Sequence, residues 1–241
     1  MIGYILDERR LGKDEKIFLK LAKRKNVELV MFNISQYIKD DELKEKVHQC
    51  DIIYNSSAEP FAIEFEKTIE VLGKKTIDSS KVYYYTEDKW MFFLKCKEHN
   101  IPCPETVLLS DNINSAKQEL EQFNHWPVVL KMICGTMGEF VDKADNLKQA
   151  EKIFKKFWKK SLERLPIIAQ ELIKSYSYRV MIIDGKIVQT ALKKNHGWKA
   201  TGVYAKKFKR FKVDKELKEI IKKVLKIIDI KICGIDFLKK N

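Results

Sequence analysis

Lys131 closes an apolar run, Pro127 to Met132, and Gly135 and Gly138 follow within seven residues. An ammonium next to backbone that can approach closely is what a phosphate needs, because amide N–H groups and the cation share its charge. Taken singly, a surface lysine before an ordinary turn explains the pattern as well. Asp236 sits in Gly234-Ile235-Asp236-Phe237-Leu238, an acid inside an apolar run. Burying such a charge is costly without a cation, so a metal role is expected there. Lys193, Lys194, Lys199, Lys206, Lys207, Lys209 and Arg210 follow one another with no acidic residue between them. That cluster predicts an anionic partner: nucleotide phosphates, an acidic substrate or nucleic acid. Trp198, Tyr204 and Phe208 are interleaved with it, a composition shared with single-strand nucleic-acid binders, against which stands a merely solvated lysine-rich face. Gly73-Lys74-Lys75-Thr76 is not a phosphate loop, since position 68, where that motif needs glycine, is Thr. Gly73 is expected to end a helix instead.

The elements that must hold these residues divide the 241-residue chain in two. Residues 1–78 carry 14 basic and 15 acidic side chains, whereas residues 79–241 carry 33 and 19, so nearly all of the net charge of +13 belongs to the second part. In the first, apolar runs at Ile2–Leu6, Val27–Phe32, Asp51–Tyr54 and Lys75–Ile77 alternate with helical periodicity at Lys13–Lys25, Asp41–Gln49 and Pro60–Leu72. Strands alternating with helices imply right-handed crossovers and a mostly parallel sheet, so a small Rossmann-like domain is expected. The second part reads as α+β with an antiparallel sheet. Its helices are expected at Asp88–Asn100, Ser115–Phe123, Asn146–Lys159 and Asp214–Ile228, and its strands at Thr106–Leu109, Pro127–Met132, Ile167–Ile173, Arg179–Ile183, Lys186–Leu192 and Ile232–Leu238. Asp184-Gly185 between apolar runs is a strong hairpin signal.

No apolar run approaches the ~20 residues of a membrane-spanning helix, and the N-terminal apolar stretch has its charges on the wrong side for a signal peptide. Five scattered cysteines without Cys-x-x-Cys, and four histidines without ligand spacing, fit a reduced cytoplasm and no zinc site.

Asp88-Lys89-Trp90, Ile101-Pro102-Cys103-Pro104-Glu105-Thr106, Trp126 to Lys131 with Gly135-Thr136-Met137-Gly138, Ile168 to Ile173, Arg179-Val180 before Asp184-Gly185-Lys186, and Gly234-Ile235-Asp236-Phe237 stand in a definite order. The series resembles the ATP-grasp superfamily and, within it, the RimK-like carboxylate–amine ligases. The resemblance implies a Rossmann-like pre-ATP-grasp domain over 1–78 and a two-lobed ATP-grasp domain over 79–241, with a central lobe at about 105–168 and a C-terminal lobe at about 169–241. It implies ATP and Mg²⁺. Lys89 and Lys131 match the lysines that reach ATP phosphates, and Gly135, Thr136 and Gly138 the loop that closes over them. Gln170, Glu171, Leu172 and Ile173 match the segment that holds adenine, and Asp236 the first magnesium carboxylate. Arg179 and Lys193 are the expected catalytic cations. The chain departs from the family at Ser177-Tyr178-Arg179, in place of Asp-x-Arg, and at Lys193-Lys194 with Trp198-Lys199-Ala200-Thr201-Gly202, in place of paired arginines and Arg-Gly-Gly. Lysine cannot copy arginine's bidentate fork. The family's Glu-x-Asn pair would follow on a further strand beyond Asn241, so these 241 residues alone are expected to bind Mg-ATP and turn it over poorly. The implied activity joins a small-molecule or peptide carboxylate to an amine, with glutamate and an acidic acceptor favoured. A nucleotide binder without turnover, a nucleic-acid binder and a homo-oligomer stay open as alternatives.

Overall fold

The computed structural model describes residues 1–57, 59–135, 138–194, 197–199 and 207–240. The chain divides into two compact units, Met1–Tyr84 with Ile230–Ile232, and Tyr85–Asp229 with Cys233–Asn241.

Unit 1 alternates β1 (Ile2–Leu6), α1 (Lys13–Arg24), β2 (Leu29–Asn33), α2 (Asp40–Gln49), β3 (Ile52–Asn55), α3 (Pro60–Val71) and β4 (Thr76–Ile77). The four strands form one sheet in the order β2-β1-β3-β4, with every pair parallel. Ile5, Phe32, Val47, Cys50, Ile53, Ala62 and Ile69 make its core. Gly3 is required in the middle of it, because a Cβ there would stand 2.7 Å from Ile53 and 2.8 Å from Phe32. A further helix, α4 (Ser80–Thr86), was not expected from the periodicity; its Ser80 caps into Glu70, giving the carboxylate both N–H and hydroxyl at 2.8 and 2.6 Å.

On the inner face of α3 lies a group with no sequence signal. Glu66 is fully buried, with one oxygen accepting from Asn55 Nδ2 at 2.9 Å and the other lacking a hydrogen-bond partner among the described residues. Burial pushes this carboxyl up to about 7, against the pull of the Asn55 hydrogen bond. The native state therefore holds the Glu66 proton more tightly than the unfolded chain does. Its contribution to stability is complete below the ordinary value of 4.5 and is lost as pH rises through about 7. On that basis Glu66→Gln is expected to remove a pH-dependent loss of about 3 kcal/mol. Urea melts of both proteins at about pH 5 and about pH 8 check it, and parallel pH slopes would contradict it.

Unit 2 contains two antiparallel sheets. The first is built from β5 (Thr106–Leu109), β6 (Val128–Met132), β7 (Val141–Ala144) and β8 (Ile167–Glu171) in the order β5-β8-β6-β7, with α6 (Ile113–Phe123) and α7 (Leu147–Lys160). Strand alternation sorts its residues. Val128, Leu130, Met132, Ile167 and Ala169 join Leu120, Phe154 and Phe157 in the helix-covered core, which leaves Val129, Lys131, Ile168, Gln170 and Thr106 on the opposite face. α5 (Lys89–Glu98) precedes this sheet. The second sheet holds β9 (Ser177–Ile183), β10 (Lys186–Lys194), β11 (Lys207–Lys209) and β12 (Ile232–Leu238) in the order β11-β10-β9-β12. α8 (Lys215–Ile228) places Ile221 against Val180 and Ile182, with Cys233, Ile235 and Phe237 packed around them. Asp184 and Gly185 have φ of 46° and 72°, the pair of left-handed residues a two-residue hairpin turn requires. Several boundaries differ from expectation, β10 running on through Lys194 where Leu192 is the expected end. β8 ends at Glu171, so Leu172 and Ile173 lie beyond the ladder, and β9 begins at Ser177. β11, three residues long, is too short to give a period. Among the described residues no helix is long and apolar enough to cross a membrane.

Candidate functional site

Asp88 caps α5, accepting from the Trp90 and Met91 amides at 2.8 and 3.0 Å, and so fixes Lys89 at the first helical position. The Lys89 amide donates to the Ile133 carbonyl at 2.9 Å, and its ammonium donates to the carbonyls of Ile133 and Gly135 at 3.2 and 2.9 Å. Burial lowers its pKa, and nearby Cys134, Glu87 and Asp88 resist the shift. The same segment carries Gly135 at φ 123° and Gly138 at φ 77°, conformations that side chains rarely adopt. Thr136, between them, lies outside the described residues.

Lys131 projects from β6 on the face away from the helices. Its ammonium donates to Gln170 Oε1 at 2.6 Å. The residue as a whole is half-buried, but its ammonium lies deep, and burial first, then the charge of Lys89, push its pKa down to about 8. A neutral amide is its hydrogen-bonding partner, so the positive charge is shielded from water without being neutralised. Such a site gains from an anion, because pairing recovers what desolvation costs. Gln170 Nε2 donates to Thr106 Oγ1 at 2.9 Å, and that hydroxyl donates to the Pro104 carbonyl at 2.8 Å.

Glu171 ends β8 with both oxygens engaged, one by the Glu105 amide at 3.0 Å and the other by Lys240 at 2.7 Å. Burial opposes its charge, but these two donors outweigh it and hold the carboxyl below the usual range. Its side chain is thus a local fastener between strand ends. Leu172 and Ile173 follow it half-buried and outside the strand register, which leaves their main chain out of the β8 ladder.

A second cluster lies on the other sheet, on the face opposite α8. Asp236 on β12 accepts from Arg179 Nη1 at 2.7 Å through one oxygen and from Lys193 Nζ at 2.8 Å through the other. Lys193 is only 6% exposed, so it is not part of the solvated basic face. Of that stretch Lys207 and Lys209 are exposed on β11, Lys194 lies over the Tyr176 ring, and residues 200–206 are outside the described residues. Gly234, two residues before Asp236 and on the same face, lets the Arg179 side chain lie flat on the strand. A Cβ at Gly234 would meet the guanidinium at 2.3–2.7 Å. Asp236 stands as a single carboxylate; among the described residues no group of three or more His, Cys, Asp and Glu could hold a metal ion. One carboxylate fits Mg²⁺ only in the manner of a metal whose remaining ligands are phosphate oxygens and waters.

The structure thus gathers Lys89, Lys131, Gly135 and Gln170 at one place and Arg179, Lys193 and Asp236 at another. Sequence reasoning missed Thr106 and Gly234 as members of these clusters, although both stood inside segments that drew attention. A family model for the RimK-like ATP-grasp domain matches residues 86–241. The chain belongs to the RimK-like ATP-grasp family. The coenzyme gamma-F420-2:alpha-L-glutamate ligase of Methanocaldococcus jannaschii is 24% identical over 180 residues, 74% of this chain and 62% of that protein. The alpha-aminoadipate–LysW ligase LysX of Saccharolobus solfataricus is 26% identical over 175 residues, 71% of this chain and 63% of its own. The chain therefore spans less than two thirds of the length of these curated relatives. An ATP-grasp fold is shared with a solved RimK domain protein of Sphaerobacter thermophilus, at a TM-score of 0.74 and 12% identity over 100% of this chain and 86% of that one. D-alanine–D-alanine ligase of Bacillus anthracis follows at 0.71 and 14%, over 100% and 83%. Membership in the ATP-grasp family implies use of ATP.

Proposed function

We propose that the chain is an ATP-dependent carboxylate–amine ligase whose nucleotide phosphates bind at Lys131 and Lys89. The carrying observation is Lys131: a deeply placed ammonium, facing a second lysine, with an amide oxygen for a partner. Two desolvated cations at one place favour a multiply charged anion. Gly135 and Gly138 supply backbone that can close on phosphate oxygens, with Thr136 between them. Adenine sits against the main chain of Glu171, Leu172 and Ile173, the last two being free of the strand ladder, and Gln170 orients Lys131.

In this reading an oxygen of the substrate carboxylate attacks the γ-phosphorus, the β–γ bridge breaks, and ADP leaves. The acyl phosphate formed is attacked at carbon by the amine, which loses a proton, and phosphate departs to leave an amide. Mg²⁺, held by Asp236 and phosphate oxygens, would supply charge neutralisation during transfer. Arg179 and Lys193 hold Asp236 in place through its two oxygens and set positive charge beside the transferring group, a contribution of positioning more than of bond chemistry. Glutamate as the amine-bearing amino acid and an acidic acceptor are supported by the names of the relatives and by the basic residues on β10 and β11.

ADP formation that requires both an acidic carboxylate acceptor and an amine-bearing amino acid such as glutamate tests the proposal, and ADP formation indifferent to both would contradict it. A second expectation concerns Gly234. Gly234→Ala should force the Arg179 guanidinium off β12 and weaken Mg-nucleotide binding by roughly tenfold, while circular dichroism stays native. An unaltered affinity measured by calorimetry would show that the flat approach of Arg179 does not matter to the site.

A further inference from the structure

Lys131 needs an acceptor aimed at it, and an amide side chain offers either an oxygen or an NH₂ to any neighbour. The two ends of Gln170 are of similar size, and only their partners decide which faces the lysine. On this face Thr106 stands directly opposite Gln170 in the β5–β8 register, and Lys131 is its diagonal neighbour, two residues from Val129, which pairs with Gln170 in the β6–β8 register. The Thr106 hydroxyl has one hydrogen, and it is donated to the Pro104 carbonyl at 2.8 Å. The hydroxyl oxygen can then only accept, and it accepts from Gln170 Nε2 at 2.9 Å. With its NH₂ so engaged, Gln170 turns its oxygen to Lys131 at 2.6 Å. Thr106 is 8% exposed, so water is a poor substitute for its hydroxyl.

We infer that Thr106 is a positioning residue which, through Pro104 and Gln170, fixes the amide orientation that keeps Lys131 charged and aimed at an anion. The inference rests on the assignment of Lys131 to nucleotide phosphates, but the relay consists of protein groups alone and can be measured without adding nucleotide. Other groups facing Lys131 do not supply what the relay supplies. From α5, Lys89 repels it. From β7, Val141 is its uncharged register partner, and Lys143, opposite Val129, is paired with Asp145 at 2.6 Å. From β8, Ile168 is apolar and Gln170 is the relay itself. If the Thr106 hydroxyl is removed, the Gln170 amide loses the anchor of its NH₂ and is held by the Lys131 ammonium alone, so its oxygen is less firmly aimed.

The test uses three proteins: the natural chain, Thr106→Val, which keeps the shape without the hydroxyl, and Thr106→Ser, which keeps the hydroxyl without the methyl. The Lys131 ammonium is titrated without nucleotide by carbon-13 NMR of the labelled lysine ε-carbons, its signal identified by loss in Lys131→Arg. Calorimetry then follows ATP affinity against pH. Thr106→Val is expected to lower the Lys131 titration midpoint by about one unit, the size of one charge-assisted hydrogen bond, and so to weaken ATP binding by about tenfold at about pH 9 and by only about twofold at about pH 7. Thr106→Ser should restore the natural midpoint. An unchanged midpoint in Thr106→Val overturns the proposal, and so does a Thr106→Ser protein as perturbed as Thr106→Val, which would mark a packing role for the methyl. A shifted midpoint with unchanged ATP affinity would uphold the relay and refute the nucleotide site at Lys131, so the two failures are separate. Thermal melts confirm that each variant is folded.

Discussion

Lys131→Ala is expected to weaken ATP binding by between about tenfold and about 150-fold while the protein stays folded. The size follows from removing a charge-assisted contact from a site shielded from water, where hydrogen bonds to charged groups contribute about 1.5–3 kcal/mol. The fold survives because Lys131 lies on the face away from the helix-covered core of Val128, Leu130 and Met132. Removing the lysine also frees Gln170, whose oxygen loses its donor, but an amide at a half-buried position can recruit water. The natural chain should show a matching pH dependence. Burial and Lys89 hold the Lys131 pKa near about 8, so the ammonium is charged below that value and loses its proton above it. ATP binds the charged form, so affinity is expected to be level below about 8 and to fall up to about tenfold per pH unit above it. Lys131→Ala should abolish that fall. Calorimetry across pH measures both, and a natural chain whose affinity is level through the alkaline range, or a variant that still shows the same fall, would remove Lys131 from the site.

The second large effect concerns Asp236. Lys193 is a buried ammonium whose charge is met by this carboxylate, and Arg179 completes the trio. Deleting the acid leaves Lys193 desolvated and unpaired, a change that costs about 3–5 kcal/mol for fully buried pairs. Here Asp236 is about half exposed, so screening reduces the figure to about 2 kcal/mol. Asp236→Ala is therefore expected to lower stability by that amount. Asp236→Asn keeps an acceptor for one cation and should cost less than half as much. Both changes remove the one carboxylate that the described residues place here. In the presence of a nonhydrolysable ATP analogue, each should weaken Mn²⁺ binding, read by electron paramagnetic resonance, at least about tenfold. A stability loss with unaltered Mn²⁺ affinity would make Asp236 a purely structural counter-ion to Lys193 and Arg179.

These two residues also show where the sequence was readable. Lys131 and Asp236 both interrupt apolar strands, and a charge there has a cost that must be met by a ligand or partner. Alternation then assigns their faces without further knowledge: Val128, Leu130 and Met132 go one way and Lys131 the other. The strand–helix order of the first unit was legible for the same reason, since its periods of two and 3.6 are carried by whole elements. What was not legible depends on which distant residues meet. Lys193 belongs in sequence to a cationic run, and only the β9–β10 register, which pairs it with Ser177, shows that it leaves that run and turns inward. Thr106 looks like any strand threonine until Gln170 is placed opposite it. Glu66 reads as one polar residue on an amphipathic helix, and its burial follows from the packing of α3 on β1 and β4. Leu172 and Ile173 continue an apolar run, so periodicity extends β8 through them; the ladder stops at Glu171 because its partner strands begin there, β6 at Val128 opposite Glu171 and β5 at Thr106 opposite Gln170.

The proposed reaction transfers the γ-phosphoryl group of ATP to a carboxylate before an amide forms. The measurement that tests it most directly uses a substrate carboxylate labelled with oxygen-18, together with ATP, Mg²⁺ and an amine, and reads the mass of the phosphate released. An acyl phosphate carries one carboxylate oxygen away on phosphorus, so each ADP formed should be matched by one phosphate bearing a single heavy oxygen. This ratio does not depend on how fast the chain turns over. Unlabelled phosphate accompanying ADP would mean that water, not a carboxylate, accepts the phosphoryl group. Label appearing in AMP would mean that the carboxylate is activated at the α-phosphorus, and either result would contradict the account.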